Sequence, residues 1–92
     1  MKILAVCGNS LGSSFMVSIN VNKVMKKMGL VGECRNLDLA SAKTEAADFY
    51  IGSREIMEQL NDGKRKTVDI INVADLTEIE SALQKHLIEE AK

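Results

Sequence analysis

Ninety-two residues with 46% apolar content and a formal net charge of −1 set the scale of one globular domain, spanning 1–92. Such a chain buries somewhat above ~60% of its unfolded surface. Interleaved acids and bases with only 3% aromatic residues exclude a basic nucleic-acid-binding face and a base-stacking platform, and no apolar run approaches the ~20 residues of a membrane span.

The apolar start lacks a basic leader and runs directly into Gly8 and Asn9, so no signal peptide is expected and the compartment is read as cytoplasmic. Cys7 and Cys34 are the two cysteines, and His86 is the single histidine. Neither a C-x-x-C pair nor a zinc spacing exists, so no metal and no other cofactor is expected. A Cys7–Cys34 disulfide would be disfavoured in a reducing compartment.

In chain order, Lys2-Ile3-Leu4-Ala5-Val6 is a short apolar run with β-branched residues and reads as a buried strand. Cys7-Gly8-Asn9-Ser10-Leu11-Gly12-Ser13-Ser14 follows as a small-residue loop. Apolar residues at Val17, Val21, Val24 and Met28, with Phe15, Met16, Ile19 and Met25 widening the face, predict a helix from Ser14 to Met28. Gly29 after Lys26-Lys27 ends it, and Ser13 or Ser14 is expected as its N-cap. Val31 to Leu39 reads as a second strand and Ala40 to Ala47 as a short helix.

Asp48 to Gly52 is a third strand, and Ser53 to Leu60 a helix capped by Ser53 with Ile56 and Leu60 inward. Thr67 to Val73 is a fourth strand. Asp75-Leu76-Thr77-Glu78 resembles a capping box for a last helix with Leu76, Ile79, Leu83 and Leu87 on one stripe. His86 is expected on the solvated face of that helix, and Lys64-Arg65-Lys66 as a solvated basic turn, or one that meets an acidic partner.

Strands alternating with helices build an α/β fold: a four-stranded parallel sheet with helices on both faces, Rossmann-like or flavodoxin-like. Ligands of such sheets sit beyond the carboxyl ends of the strands, which is where Cys7 falls. A strand, a turn of small residues and a helix start together make an anion site, because Gly8 and Gly12 let backbone N–H groups turn inward and the helix start adds positive partial charge. Such a turn alone can be no more than a tight connection. The thiol on its first residue points to a site, since the amides that hold a phosphate also favour a thiolate. Cys34, inside the second strand, reads as a small hydrophobe.

The pattern Cys-Gly-Asn-x-x-Gly-Ser-Ser directly after Ile-Leu-Ala-Val resembles the enzyme IIB component of the bacterial phosphoenolpyruvate-dependent sugar phosphotransferase system, nearest its ascorbate-type branch among the galactitol and lactose/cellobiose types. The resemblance implies a cysteine that accepts a phosphoryl group from a histidine of a IIA component. It then passes the group to a sugar, ascorbate-like or a polyol, bound by a membrane IIC component. On this chain Cys7 would be the phosphocysteine, with Gly8, Asn9, Ser10, Leu11, Gly12, Ser13 and Ser14 holding the phosphoryl oxygens. The family often carries glycine where this chain has Ser10, which would place Ser10 in a left-handed conformation if that position needs positive φ; the alternative is an ordinary type I turn with Ser10 at negative φ.

A low-molecular-weight protein tyrosine phosphatase is the rival from another class, with its Cys-x5-Arg-Ser/Thr loop on a similar fold. Counting from Cys7, the arginine position falls on Ser13, and with no proline in the chain there is no Asp-Pro acid loop. A non-enzymatic adaptor domain is the third reading and requires an unreactive Cys7.

Overall fold

Eight elements alternate along the chain: β1 (Lys2–Cys7), α1 (Leu11–Lys27), β2 (Glu33–Asp38), α2 (Leu39–Ala42), β3 (Phe49–Gly52), α3 (Arg54–Leu60), β4 (Thr67–Asp69) and α4 (Leu76–Ala91). The computed structural model describes residues 1–7, 11–63, 65–72 and 75–91, without the side chains of 7, 11–14 and 87–91. All strand pairs are parallel, in the order β2-β1-β3-β4. The chain thus steps from β1 to β2 on one side and returns across β1 to β3 on the other. That reversal opens a crevice at the carboxyl ends of β1 and β3.

Both sheet faces are covered, which is why the central strands β1 and β3 read as continuous apolar runs, while the edge strands β2 and β4 do not. Ile3, Ala5, Phe49, Ile51 and Val68 face α1 and α4, packing with Val17, Val21, Val24, Met25, Ile79 and Leu83. Leu4, Val6 and Tyr50 face the other layer, against Ala42 of α2 and Met57 and Leu60 of α3. Alternate residues of one strand therefore enter two separate cores.

The end of α1 follows its sequence signal closely. Gly29 takes φ +73°, Leu30 N–H donates to Met25 C=O at 2.9 Å and Gly29 N–H to Lys26 C=O at 3.2 Å, the paired bonds of a Schellman ending. Its start differs from expectation. The helix begins at Leu11, so Ser13 and Ser14 lie inside it and neither is the N-cap.

Other boundaries shift for local reasons. The expected second strand narrows to Glu33–Asp38 because Val31 is exposed and because Asp38 caps α2, accepting from Ser41 N–H at 3.2 Å. The short helix stops at Ala42, where Thr44 N–H and Glu45 N–H donate back to Ser41 C=O and Ala42 C=O in turns. Ser53 has the extended backbone of an N-cap, but its hydroxyl makes no capping bond. On α3 Met57 is fully buried beside Leu60, while Ile56 is only partly buried.

β4 ends at Asp69 rather than Val73, which lies outside the described residues. Ile70 still docks, its N–H donating to Gly52 C=O at 2.8 Å. The next two amides leave the sheet for the Glu78 carboxylate, Ile71 N–H at 2.6 Å and Asn72 N–H at 2.9 Å. Only half of the expected capping box therefore forms. Asp75 Oδ1 accepts from Thr77 N–H and Glu78 N–H, but Glu78 holds the loop instead of returning to Asp75.

The β2 edge is closed by a side chain. Asn22 of α1 donates from Nδ2 to Cys34 C=O at 2.9 Å and accepts from Cys34 N–H at 2.8 Å, replacing a missing strand neighbour. Asn22→Ala leaves both groups to water at a half-buried site. It is expected to lower stability by about 1 kcal/mol, read from the midpoint of a urea titration. An unchanged midpoint would show that solvent serves Cys34 equally well.

Candidate functional site

Cys7 is the last residue of β1, and α1 starts at Leu11, so the connection occupies residues 8–10. Gly8, Asn9 and Ser10 lie outside the described residues, and the left-handed Ser10 with them. Leu11, Gly12, Ser13 and Ser14 form the first turn of α1 rather than a continuing loop. Gly12 is thus helical and does not turn the backbone. The first four N–H groups of an α-helix have no intrahelical partner, so a helix start at Leu11 has backbone donors to offer an anion.

Two residues that the sequence reading passed over border Cys7. The β1–β2 register runs to the strand ends and pairs Cys7 with Asp38. Asp38 accepts from Ser41 Oγ–H at 2.6 Å and from Ser41 N–H, and these bonds, the hydroxyl's first, hold its carboxyl below the ordinary range. On the other side of β1, Gly52 ends β3 so close that a Cβ there would lie 2.7 Å from the Val6 carbonyl oxygen. No sequence signal ties Asp38 or Gly52 to Cys7, since register across strands is a tertiary fact.

Large apolar side chains are exposed at the same end of the sheet. Phe15, Met16 and Ile19, in the first turns of α1, are 57%, 48% and 40% exposed, so they do not widen the core face as expected. The helix turns ~100° per residue, and the stripe through Val17, Val21 and Val24 leaves them beyond its border. Past the end of β4, Ile71 is 97% exposed, and Leu76 opens α4 half-exposed. Large apolar groups left exposed at the end of the sheet that carries Cys7 suit a protein-contact surface.

The remaining candidates fall away from this end. Cys34 is buried in the α1 layer, and burial pushes its thiol from 9.0 up to about 12, with the Glu33 charge adding and a hydrogen bond at Ala5 opposing. A raised folded pKa contributes stability that is complete below pH 9 and is lost as pH rises toward 12. Cys34→Ala is expected to flatten that alkaline fall in a pH series of urea midpoints. Cys34 is also expected to resist iodoacetamide at neutral pH in the folded protein, and rapid labelling there would contradict its burial.

His86 is half-buried rather than solvated. Three residues after the buried Leu83, it sets its ring edge-on to Phe49 at 6.1 Å. Arg65 is not a solvated turn residue either. It pairs with Asp62 at 2.7 Å, donates to Lys43 C=O at 2.6 Å and lies over the Tyr50 ring. Lys66 sits 6.0 Å from the Phe49 ring, and Lys64 is outside the described residues. This basic tip is at the amino ends of the strands, opposite Cys7. Among the described residues no group of three or more His, Cys, Asp or Glu side chains is placed to hold a metal ion, and no helix is long and apolar enough to cross a membrane.

Comparison with known proteins decides the family. The model of the lactose/cellobiose-specific IIB subunit of the phosphotransferase system matches residues 2–85. The chain belongs to the phosphotransferase-system IIB family. A Mycoplasma pneumoniae protein described as an ascorbate-specific phosphotransferase EIIB component is 34% identical over 90 residues, covering 95% of each chain. The structure of the lactose-specific IIB component domain from Streptococcus pneumoniae superposes with a TM-score of 0.63 at 17% identity, over 96% of this chain and 95% of that one, and so shares the fold. A IIB component is a phosphocarrier subunit of a sugar phosphotransferase system, and its activity is phosphoryl transfer. IIA and IIC components are in general its partners. Nothing in these likenesses favours the phosphatase.

Proposed function

We propose that Cys7 is the phosphocysteine of this IIB component, held by Gly8, Asn9, Ser10 and the first-turn amides of Leu11, Gly12, Ser13 and Ser14. The position of Cys7, the last strand residue before the free amides of α1, carries the reading. Its thiolate attacks the phosphorus of a IIA phosphohistidine. The S–P bond forms as the N–P bond breaks, and the imidazole keeps that electron pair and takes up a proton. In the second step a sugar hydroxyl oxygen forms the P–O bond and releases its proton, while sulfur leaves as thiolate. Throughout, negative charge spreads over three oxygens, and fixed N–H donors stabilise it without reorganising.

The exposed apolar rim of Phe15, Met16, Ile19, Ile71 and Leu76 supports transfer between proteins, since both partners must close over Cys7. The likeness to the ascorbate-specific relative favours an ascorbate-like sugar, carried in the IIC component, and a cytoplasmic site of action. Incubation with phosphoenolpyruvate, the general phosphotransferase proteins and a cognate IIA is expected to place a phosphate on the Cys7 peptide, as read by mass spectrometry. Label on another residue would discard the assignment.

Hydrolysis is a separate test. With Ser13 where a phosphatase carries arginine, turnover of p-nitrophenyl phosphate is expected to be negligible. A missing transition-state donor commonly costs ~10²–10³ in rate. Robust, Cys7-dependent release of p-nitrophenol would restore the phosphatase reading. A carrier gains from this gap, because water attack would waste the phosphoryl group.

A further inference from the structure

We infer that Asp38 is a second functional residue of the transfer site: a fixed carboxylate at the end of β2, in register with Cys7, that disfavours the loaded cysteine and so promotes onward transfer. The inference rests on the proposed role of Cys7. Its geometry is independent of that role. The parallel ladder ends with Cys7 opposite Asp38, and neighbouring strands run ~4.8 Å apart.

The carboxylate is held in place. Ser41 uses both its hydroxyl, at 2.6 Å, and its backbone N–H, at 3.2 Å, on the two Asp38 oxygens. These donors favour the ionised form. None of the ion pairs among the described residues includes Asp38: Lys2 pairs with Glu45, Lys27 with Glu80, Arg54 with Glu58 and Arg65 with Asp62. Capping α2 needs an oxygen acceptor and no charge, so Asn or Ser would serve the four-residue helix as well. The charge is therefore surplus to the fold.

Its consequence follows from the charges of the two steps. Loading turns a thiolate of charge −1 into a thiophosphate of charge near −2. Onward transfer reverses that change, as the S–P bond breaks and sulfur leaves as thiolate. A fixed negative neighbour opposes the first and favours the second. At a separation of ~8 Å in a water-like dielectric and at low salt the effect is a ~2-fold change in the loading equilibrium.

Equilibration of the wild type and Asp38→Asn with a phosphorylated IIA donor, followed by intact mass, reads the loaded fraction. At low salt the loading constant is expected to rise ~2-fold in Asp38→Asn, and equally in Asp38→Ser. At about 1 M salt, where screening acts within ~3 Å, the gain should vanish. Without any partner, iodoacetamide should alkylate Cys7 faster at neutral pH in both variants, because loss of the charge favours the thiolate. Unchanged loading and alkylation in folded variants would overturn the inference, and so would a gain that persists in high salt, which would report altered packing. If the wild type takes no label at Cys7, the assignment of the phosphocysteine fails instead, and the alkylation rates still decide whether the Asp38 charge reaches that residue.

Discussion

Cys7→Ser is expected to accept no phosphoryl group from a IIA donor and to support no sugar phosphorylation in a reconstituted system. The replacement is close in shape but far in chemistry. A free thiol with a pKa of ~8.5 is already a few per cent thiolate at neutral pH, and the helix-start amides should raise that fraction. A serine hydroxyl has no comparable ionised population at neutral pH. An alkoxide would also be a far poorer leaving group in the second step. Circular dichroism and the urea midpoint should match the wild type, which separates lost chemistry from lost folding. Cys34→Ser should label normally, since Cys34 is buried in the α1 layer. Label surviving in Cys7→Ser would remove Cys7 from the mechanism.

Gly52→Ala is the second substitution with a large expected effect, and it acts through the backbone. The added Cβ would lie 2.7 Å from the Val6 carbonyl oxygen and 3.2 Å from Met57 Cε. Methionine is flexible and can yield. The carbonyl belongs to the main chain one residue before Cys7, so relief requires the end of β1 to move away from β3. Overpacking of this kind costs about 1–3 kcal/mol, which for a domain of this size corresponds to a fall in Tm of several degrees or more. At a temperature where the variant is folded, phosphoryl acceptance should fall by ~10-fold or more, because misplacement near 1 Å can cost ~10²-fold. Trimming Met57 in the same background should not restore it. Wild-type Tm and rate together in Gly52→Ala would show that the strand ends part freely.

The two predictions fail or succeed on different grounds, and the difference follows how the chain encodes them. Cys7 was legible from neighbours along the chain: an apolar strand, a thiol, small residues, then a helical period. The order of elements was legible for the same reason, since each buried run alternates with an amphipathic stripe such as Val17, Val21 and Val24. Gly29 was legible because a helix ending is a local event, completed within a few residues. Gly52 and Asp38 were not, because nothing in the sequence says that they stand on either side of β1.

Local pattern by itself therefore determined the fold class, the place of the thiol and its family likeness, since strand and helix periods and loop chemistry are set over a few residues. Only the tertiary structure decided the rest. The strand order put Gly52 against Val6 and Asp38 beside Cys7. Competition for partners sent Glu78 to the loop amides of Ile71 and Asn72 instead of to Asp75. Helix rotation against the sheet left Phe15, Met16 and Ile19 in solvent, and the packing of α4 brought His86 onto Phe49. Each of these depends on groups far apart in the chain meeting once the sheet has formed, and residue type alone does not specify which of several acceptable partners is within reach.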